Sequence, residues 1–572
     1  MNINPYFLYN YQIFFCSFFS GILLGLGWPT YGNPFYLFIG FIPLLYVENY
    51  LFNYATNYSS KVFCFSFITF LIWNAIATSW LSNAKKPNGE SAWLITYLIP
   101  IFLNSICMSS VFLLYSYIKK YFNDERICQL FLVCLWILFE KIHLEWDLSW
   151  PWLNLGNGFA NYIKYIQWYE YTGILGGTVW IWIVNIGLLN SIIKFQYSRQ
   201  KLCFYNNISY NIYIIIFVII ISNYIYFNYD KLHKKIQENK FINVLILQPN
   251  IDPYYKKYNI STNTLIAHLQ KLINKKLINY NNNVYTNNLY IIAPETTLPG
   301  NDTKISIENL EKNHIIYYLK QYLHQNSYTS FITGIELYSI SDKKYRKSSN
   351  KFFLDKKRNQ IKWIDIFNSA IYITSNSKKI QIHHKSKLVP AVETFPYKKF
   401  LFPILGKILL NFGGTVLEHS IETNPISFFD KQSGIKIASI ICYESVFGEY
   451  VSKFFKKTNS NLMVIITNDG WWGISQGYKQ HLSYARLRAI ENRKCIARSA
   501  NTGVSCFINE TGDIIDFLPY GKEGALLNKI QINNKKTFYI KYGDFIATIS
   551  LFTLIIIIVY SILFQVFIIN FI

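Results

Sequence analysis

Long apolar runs crowd the N-terminal part of this chain, and they constrain its fold more than any other feature. They lie near residues 10–28, 34–52, 62–82, 93–117, 127–143, 168–193 and 211–228. Several reach the length of about 20 residues that crosses a bilayer's hydrocarbon. The run 127–143 is short and ends on Glu140 and Lys141, so it is the weakest of the set. The first run has no basic segment before it and is followed directly by others, so it reads as an anchor rather than a removable signal. Near residue 229 the stretch DKLHKKIQENK breaks the pattern, and the chain stays polar and mixed to about residue 540. A last apolar run, 545–572, contains TLIIIIVYSILFQVFIINFI. Three parts are therefore predicted: residues 1–228 as a bundle of about seven transmembrane helices, 229–540 as a polar domain, and 541–572 as a C-terminal transmembrane helix.

Loop charges orient the bundle. With the N-terminus inside, the inner loops carry Lys61, then Lys119, Lys120 and Arg126, then Lys194, Arg199 and Lys201. The outer loops carry Lys85, Lys86, Lys141 and Lys164. Seven crossings then place residues 229–540 outside and return the last helix to the cytoplasm.

Composition agrees with a protein partly dissolved in lipid, with 51% hydrophobic and 18% aromatic residues against 15% charged. The net charge of +23 suits an anionic membrane surface, although the wealth of Ile, Asn, Lys, Tyr and Phe also fits the codon bias of an AT-rich genome. No nucleic-acid recognition motif accompanies the charge, so no nucleic-acid partner is expected. Of nine Cys, those at 16, 64, 107, 128 and 134 lie in apolar runs and read as small buried hydrophobes. No CxxC or Cys/His cluster suggests a metal or redox pair. Adjacent His383 and His384 make a poor chelate, because neighbours on an extended chain point to opposite faces. Neither a metal nor a cofactor is expected.

The polar region has an α/β rhythm. The segments 241–250, 288–299, 330–339, 435–445 and 461–470 are β-rich, and several are continuously apolar, as strands buried on both faces should be. Helical patterns lie between, at 261–277 and 478–494, the latter with Leu482, Ala485, Leu487, Ala489 and Ile490 roughly on one face. Such alternation predicts a layered α/β domain.

Three polar residues stand at or just after strand ends, where open α/β sheets place ligands. They are Glu295 in IIAPETTLP, Lys385 in KIQIHHKSKLVP and Cys442 in IASIICYESVFGE. A Cys beside a base and a cation has the logic of an activated nucleophile. Glu295 can take the thiol proton and give the reactive thiolate, and Lys385 can hold the oxyanion of a tetrahedral intermediate. Each residue also has an ordinary reading: a core Cys, a turn or cap Glu, a surface Lys. Spacing alone does not choose between them.

The words around them do. APETTLP, HHKSKLVPAVETFP, ICYESVFGE, TNDGWWG (467–473) and HLSYARLRAIENRKCIARSANTG (481–503) resemble, in order, the motifs of the nitrilase, or carbon–nitrogen hydrolase, superfamily. The likeness covers about residues 240–535. It implies an α-β-β-α sandwich and a Glu-Lys-Cys triad of Glu295, Lys385 and Cys442. With the flanking membrane helices and the word SWPWLNLGN (149–157), the whole looks like the apolipoprotein N-acyltransferase family, whose nitrilase-like domain lies between a helical bundle and a C-terminal helix. In that family the Lys stands three residues before Leu-Val-Pro, which selects Lys385 over Lys387. The supporting positions correspond to Glu393, Tyr443 and Glu444. This chain reads AVE where Phe-Gly-Glu is common.

The resemblance implies a two-step reaction at the outer, periplasmic face of the cytoplasmic (inner) membrane of a bacterium. Cys442 would take an acyl chain from a phospholipid, typically phosphatidylethanolamine, as a thioester. The amine of a diacylglyceryl-cysteine apolipoprotein N-terminus would then receive it. Glu393 and Glu444 would position Lys385 or tune its charge, or else form a structural salt bridge. Trp471 and Trp472 would contact the acyl chain or sit in the membrane interface, or pack beside the active strand. Tyr443 would pack under the triad. The segment 400–414, FLFPILGKILLNFGG, reads as an arm over the site or as an ordinary surface helix. The rival functions are a membrane-tethered amidase or nitrilase acting on a small carbon–nitrogen substrate, and a non-catalytic membrane assembly protein.

Overall fold

The computed structural model describes residues 5–571, apart from 86–88, 123, 199–200, 234–239, 255–258, 279–288, 301–303, 325–328, 343–350, 356–359, 376–378, 399 and 401–418. The chain divides into two compact units. One comprises Met1–Ser82, Trp93–Tyr229 and Tyr542–Ile572, the other Asn83–Ala92 and Asp230–Lys541.

The first unit is helical. Among the described residues, six helices are long and apolar enough to cross a membrane: Pro34–Tyr54, Tyr58–Ala77, Leu94–Lys119, Ile174–Gln196, Phe204–Tyr229 and Phe545–Leu563, with a shorter apolar helix at Asn10–Leu26. Glu125–His143 is a helix too, but its ends carry Glu125, Arg126, Glu140 and Lys141 and it falls outside that set. The run expected at 168–193 begins later, because Gly173, at φ 60°, breaks the chain before the helix Ile174–Ser198.

Lipid supplies no hydrophobic drive between helices, so close packing of small residues must hold such a bundle together. Gly21 and Gly25 show it: a Cβ on Gly21 would lie 2.5 Å from the Thr69 carbonyl oxygen, and one on Gly25 would lie 2.7 Å from Ile76. Charged side chains buried inside are paired, as two of them show. Lys119 Nζ stands 2.8 Å from Glu48 Oε2. Glu140 accepts hydrogen bonds from the Trp136 indole (3.0 Å), the Leu155 amide (2.9 Å) and the Thr178 hydroxyl (2.8 Å). Those bonds fasten the SWPWLNLGN segment to the bundle. The apolar-run cysteines differ from expectation. Cys128 and Cys134 are buried, but Cys16 and Cys107 are half-buried and Cys64 is exposed. On a helix bathed in lipid, an apolar thiol has no need of a protein core.

The second unit is an α-β-β-α sandwich. Strands β1 (Lys240–Gln248), β2 (Leu289–Ile292) and β4 (Thr329–Ser341) pair in parallel. Outside them run β14 (Gly524–Ile532), antiparallel to β1, and β6 (Gln360–Thr374), antiparallel to β4. The short β3 (Ile305–Ser306) pairs with β4, while β5 (Lys351–Asp355) and β7 (Gln381–His384) pair with β6. The second sheet runs β13 (Ile514–Leu518), β12 (Ser505–Ile508), β11 (Ile496–Ala500), β10 (Leu462–Thr467), β9 (Lys436–Ile441), β8 (Phe428–Phe429), with β9, β10 and β11 parallel.

Strand periodicity of two explains how β1 is buried on both faces. Val244 and Ile246 point between the sheets, against Ile437, Ile441, Val464 and Ile466. Leu245 and Leu247 point outward, under the helices Thr262–Leu277 and His314–His324. The helices Gly448–Lys457 and Gln476–Asn492 belong with the second sheet. The latter is not the one-faced helix expected. Leu482 is only half-buried, while Gln480, His481, Arg488, Glu491 and Asn492 are buried, so the helix is enclosed nearly all round. The loop Asn83–Ala92 belongs to this unit, and the Lys85 amide donates to the Tyr254 hydroxyl at 3.1 Å.

Candidate active site

Each of the three candidate residues follows a strand, and at two of them backbone pairing continues past the strand's end. After β2, the Ala293 amide donates to Ile332 O and the Gly334 amide to Pro294 O, which holds Glu295 against β4. The approach is too close for any side chain at 334: a Cβ there would lie 2.3 Å from the Thr296 nitrogen and 2.6 Å from Glu295 Cα. After β7, the Lys385 amide donates to Asn368 O on β6 at 2.9 Å. Cys442 directly follows β9 and opens a tight turn, Cys442–Val446, that leads into the helix Gly448–Lys457. Its φ of 47° lies in the left-handed region, which costs a non-glycine residue about 1–3 kcal/mol and lifts the side chain out of the strand's pleat. The first sheet thus brings Glu295 and Lys385, and the second brings Cys442.

Lys385 Nζ lies 3.0 Å from Glu295 Oε1 and 2.9 Å from Glu393 Oε1. Asn368 Nδ2 donates to the same two oxygens, at 2.8 and 3.2 Å. The Asn468 amide donates to Glu295 Oε2 (3.1 Å), and the Val389 amide to Glu393 Oε2 (2.9 Å). Lys385 is 1% exposed, Glu295 6% and Cys442 8%. One ammonium between two carboxylates leaves the cluster with a net charge of −1.

That charge adds to burial in setting the resting state of the sulfur. Burial pushes the Cys442 thiol well up, the Glu295 carboxylate pushes it further, and Lys385 only partly opposes them. Burial alone would lower the Lys385 ammonium, but Glu295 and Glu393 outweigh it and hold the lysine charged. Burial would raise Glu393, but Lys385 outweighs it and keeps this carboxyl below the usual range. A preformed thiolate is therefore disfavoured. The arrangement suits a thiol that gives up its proton to Glu295 only as the sulfur attacks.

Glu393 meets Lys385 directly. Glu444 instead works through backbone: its carboxylate accepts from the Ser386 amide (2.6 Å), the Ile441 amide (2.8 Å) and the Tyr450 hydroxyl (2.9 Å), clamping the residues beside Lys385 and Cys442. Tyr443 is buried, edge-on to Phe447 at 5.1 Å. Trp471 and Trp472 are half-buried, the first edge-on to Tyr254 (5.1 Å) and the second edge-on to His481 (5.9 Å). His383 faces Glu444 at 3.5 Å, while His384 bonds Ser369 at 2.7 Å, on opposite sides of β7. No group of three or more His, Cys, Asp or Glu among the described residues is arranged to hold a metal ion. The segment 400–414 falls outside the described residues except for Phe400, which is exposed.

Sequence reasoning missed Asn368 and Gly334. Asn368 sits in the word IDIFNSAIYIT, where it is buried together with Asp365 and Ser369, and polar residues inside a buried strand are the signal that was there to read. It also gave no role to Asp469 and His481, although both stand inside recognised words.

Residues 20–187 match the apolipoprotein N-acyltransferase N-terminal domain, and residues 353–537 match carbon-nitrogen hydrolase. Over 94% of both chains, this protein is 24% identical to an apolipoprotein N-acyltransferase of Chlorobaculum tepidum. It is 25% identical to that of Geobacter metallireducens, over 92% of this chain and 91% of the other, and 28% identical to that of Wigglesworthia glossinidia brevipalpis, over 78% and 79%. With both domains in order and relatives matched nearly end to end, the chain belongs to the apolipoprotein N-acyltransferase family.

Proposed function

We propose that this protein transfers an acyl chain from a membrane phospholipid to the N-terminal amine of diacylglyceryl-cysteine apolipoproteins, completing lipoprotein maturation. The observation that carries the reading is a buried Glu295–Lys385–Glu393 cluster around Cys442, on the same chain as six helices apolar enough to cross a membrane. A small-amide hydrolase would need only one helix as a tether, so the many helices favour lipid substrates. The parts we assign are residues 1–228 as membrane bundle, 229–540 as catalytic domain and 541–572 as final anchor, with the catalytic domain on the periplasmic face of the inner membrane.

In the first step Cys442 Sγ attacks the ester carbonyl of the donor, phosphatidylethanolamine by family resemblance. The S–H proton passes to Glu295, and the Lys385 ammonium faces the developing oxyanion. Collapse breaks the ester C–O bond, Glu295 returns the proton to the leaving oxygen, and a lysophospholipid departs. In the second step the lipoprotein amine attacks the thioester. Glu295 takes its proton and passes it to the departing sulfur, which restores the thiol and leaves an amide. Glu393 and Glu444 position the lysine and the two loops. Extracting an acyl chain from lipid costs about 0.8 kcal/mol per CH₂, and a membrane-anchored enzyme spares both substrates most of that.

The test is transfer of a labelled acyl chain from phosphatidylethanolamine vesicles to a synthetic diacylated lipopeptide by the purified full chain. Transfer that is lost in Cys442→Ser supports the reading. Ammonia release from small amides with no acyl transfer overturns it in favour of the tethered hydrolase.

A further inference from the structure

A second buried charge cluster lies behind the nucleophile. Asp469 opens the turn after β10, and its Oδ2 accepts from Arg498 on β11 at 2.7 Å. Its Oδ1 accepts from the Thr467 hydroxyl (2.8 Å) and meets His481 Nδ1 at 2.9 Å. The other ring nitrogen, His481 Nε2, stands 2.9 Å from Ser445 Oγ and 3.2 Å from the carbonyl oxygen of Cys442 itself. Ser445 donates to that same carbonyl at 2.7 Å. Asp469, His481 and Arg498 are 1% exposed or less. Gly503 is what lets Asp469 in, since a Cβ there would sit 2.3 Å from Asp469 Oδ2.

The cluster touches both halves of the candidate site. Through His481 and Ser445 it grips the carbonyl of a residue held at left-handed φ. Through the backbone it fixes Asn468, whose amide holds Glu295 Oε2. A residue in that conformation persists only where its surroundings over-determine it. The strand alone does not hold Cys442 there; two side-chain groups on its carbonyl do.

We infer that Asp469 and His481 are positioning residues that lock Cys442 in its left-handed turn and set the thiol against Glu295. This rests on the assignment of Cys442 as nucleophile. A thiol free to swing loses the near-attack geometry on which proton transfer to a fixed carboxylate depends. The inference also has an electrostatic signature. The charged groups facing Cys442 are Glu295, Lys385 and Asp469, and those facing Asp469 are His481 and Arg498. Removing the Asp469 charge takes away one of the carboxylates that disfavour the thiolate.

The test uses the purified full chain and two readouts. One is formation of the acyl-enzyme from phosphatidylethanolamine vesicles, resolved into kcat and KM. The other is alkylation of Cys442 by iodoacetamide as a function of pH, followed by peptide mass mapping. We expect His481→Ala to lower kcat for acylation at least tenfold with KM within twofold, and His481→Gln, whose amide can still reach the Cys442 carbonyl, to recover part of it. We expect Asp469→Asn to move the alkylation profile to lower pH while acylation falls. Folded variants with wild-type kcat and an unmoved alkylation profile overturn the inference, as does a loss confined to KM. If the wild type forms no acyl-enzyme, the proposed function fails. Alkylation needs no lipid, so in that case the profile of His481→Ala, which removes a contact to the Cys442 carbonyl, is read beside that of Asp469→Asn, and wild-type profiles in both overturn the positioning claim.

Discussion

Replacing Glu295 by Gln should make Cys442 more reactive toward a small alkylating agent and less able to catalyse. The side chain keeps its size. Its Oε1 can still accept from Lys385 and Asn368, which now meet it at 3.0 and 2.8 Å. Its new NH₂ group confronts the Asn468 amide that now donates to Oε2, so one buried hydrogen bond is lost, at a cost of about 1–3 kcal/mol in stability. The net charge of the cluster rises from −1 to zero. After burial, Glu295 is the largest influence holding the thiol up, and Lys385 is left to act against burial without it. A nearby charge of this kind changes an ionised fraction about 10- to 1000-fold, so alkylation at pH 8 should accelerate by a factor within that range. Loss of the proton acceptor should slow acyl-thioester formation by about 10²–10⁴. Iodoacetamide kinetics and intact-mass acylation kinetics on one preparation read both effects. Parallel losses in the two assays would refute the reasoning, because they would make Glu295 a scaffold rather than a charge that opposes ionisation and accepts the proton.

Three further outcomes follow from the same geometry. Gly334→Ala must push the Glu295 segment off β4; overpacking of this kind costs about 1–3 kcal/mol, and acylation should fall more than tenfold with a lowered Tm in a thermal-shift assay. Asn368→Leu removes a donor shared by Glu295 and Glu393 while keeping the strand apolar; it should destabilise by about 1–3 kcal/mol in denaturant titration and slow acylation without changing which residue is acylated. Glu393 and Asp469 are held below the usual carboxylate range, so in that range the unfolded chain binds more protons than the folded one. Their contribution is complete above the ordinary carboxylate values, about pH 4–5, shrinks progressively as pH falls below them and is gone only below the depressed folded values, so unfolding midpoints measured from pH 7 to 3 should fall steadily over the lower part of that range.

The strands that carry the site were legible because both faces of each are covered. Segments such as IKIASII and NLMVIIT are apolar without alternation, and only a strand between two layers reads that way. The motif words then placed Glu295, Lys385 and Cys442 at strand ends, which is where the structure has them. What stayed hidden depends on contacts between distant segments. Asn368 is one of several polar residues in its strand, and its two carboxylate partners lie 73 and 25 residues away. Gly334 is meaningful only once Glu295 is packed on it. The helix Gln476–Asn492 looked amphipathic because its arginine, glutamate and asparagine residues read as solvated. Instead Arg488 pairs with Glu491 at 2.8 Å and bonds Val446 O at 3.0 Å, burying polar groups that pattern reasoning assigns to water. The helix Glu125–His143 is blurred for a similar reason. Its Glu140 is a charge by composition, but in the fold it is the clamp for a loop.

The most direct measurement is the mass of the intact protein after incubation with phospholipid vesicles and no acceptor. The wild type should gain the mass of one acyl chain, released by hydroxylamine at neutral pH and mapped to Cys442, while Cys442→Ser should gain no hydroxylamine-labile mass. An unmodified wild type that nonetheless acylates a lipopeptide, or a labile adduct on some other residue, would contradict a thioester on Cys442.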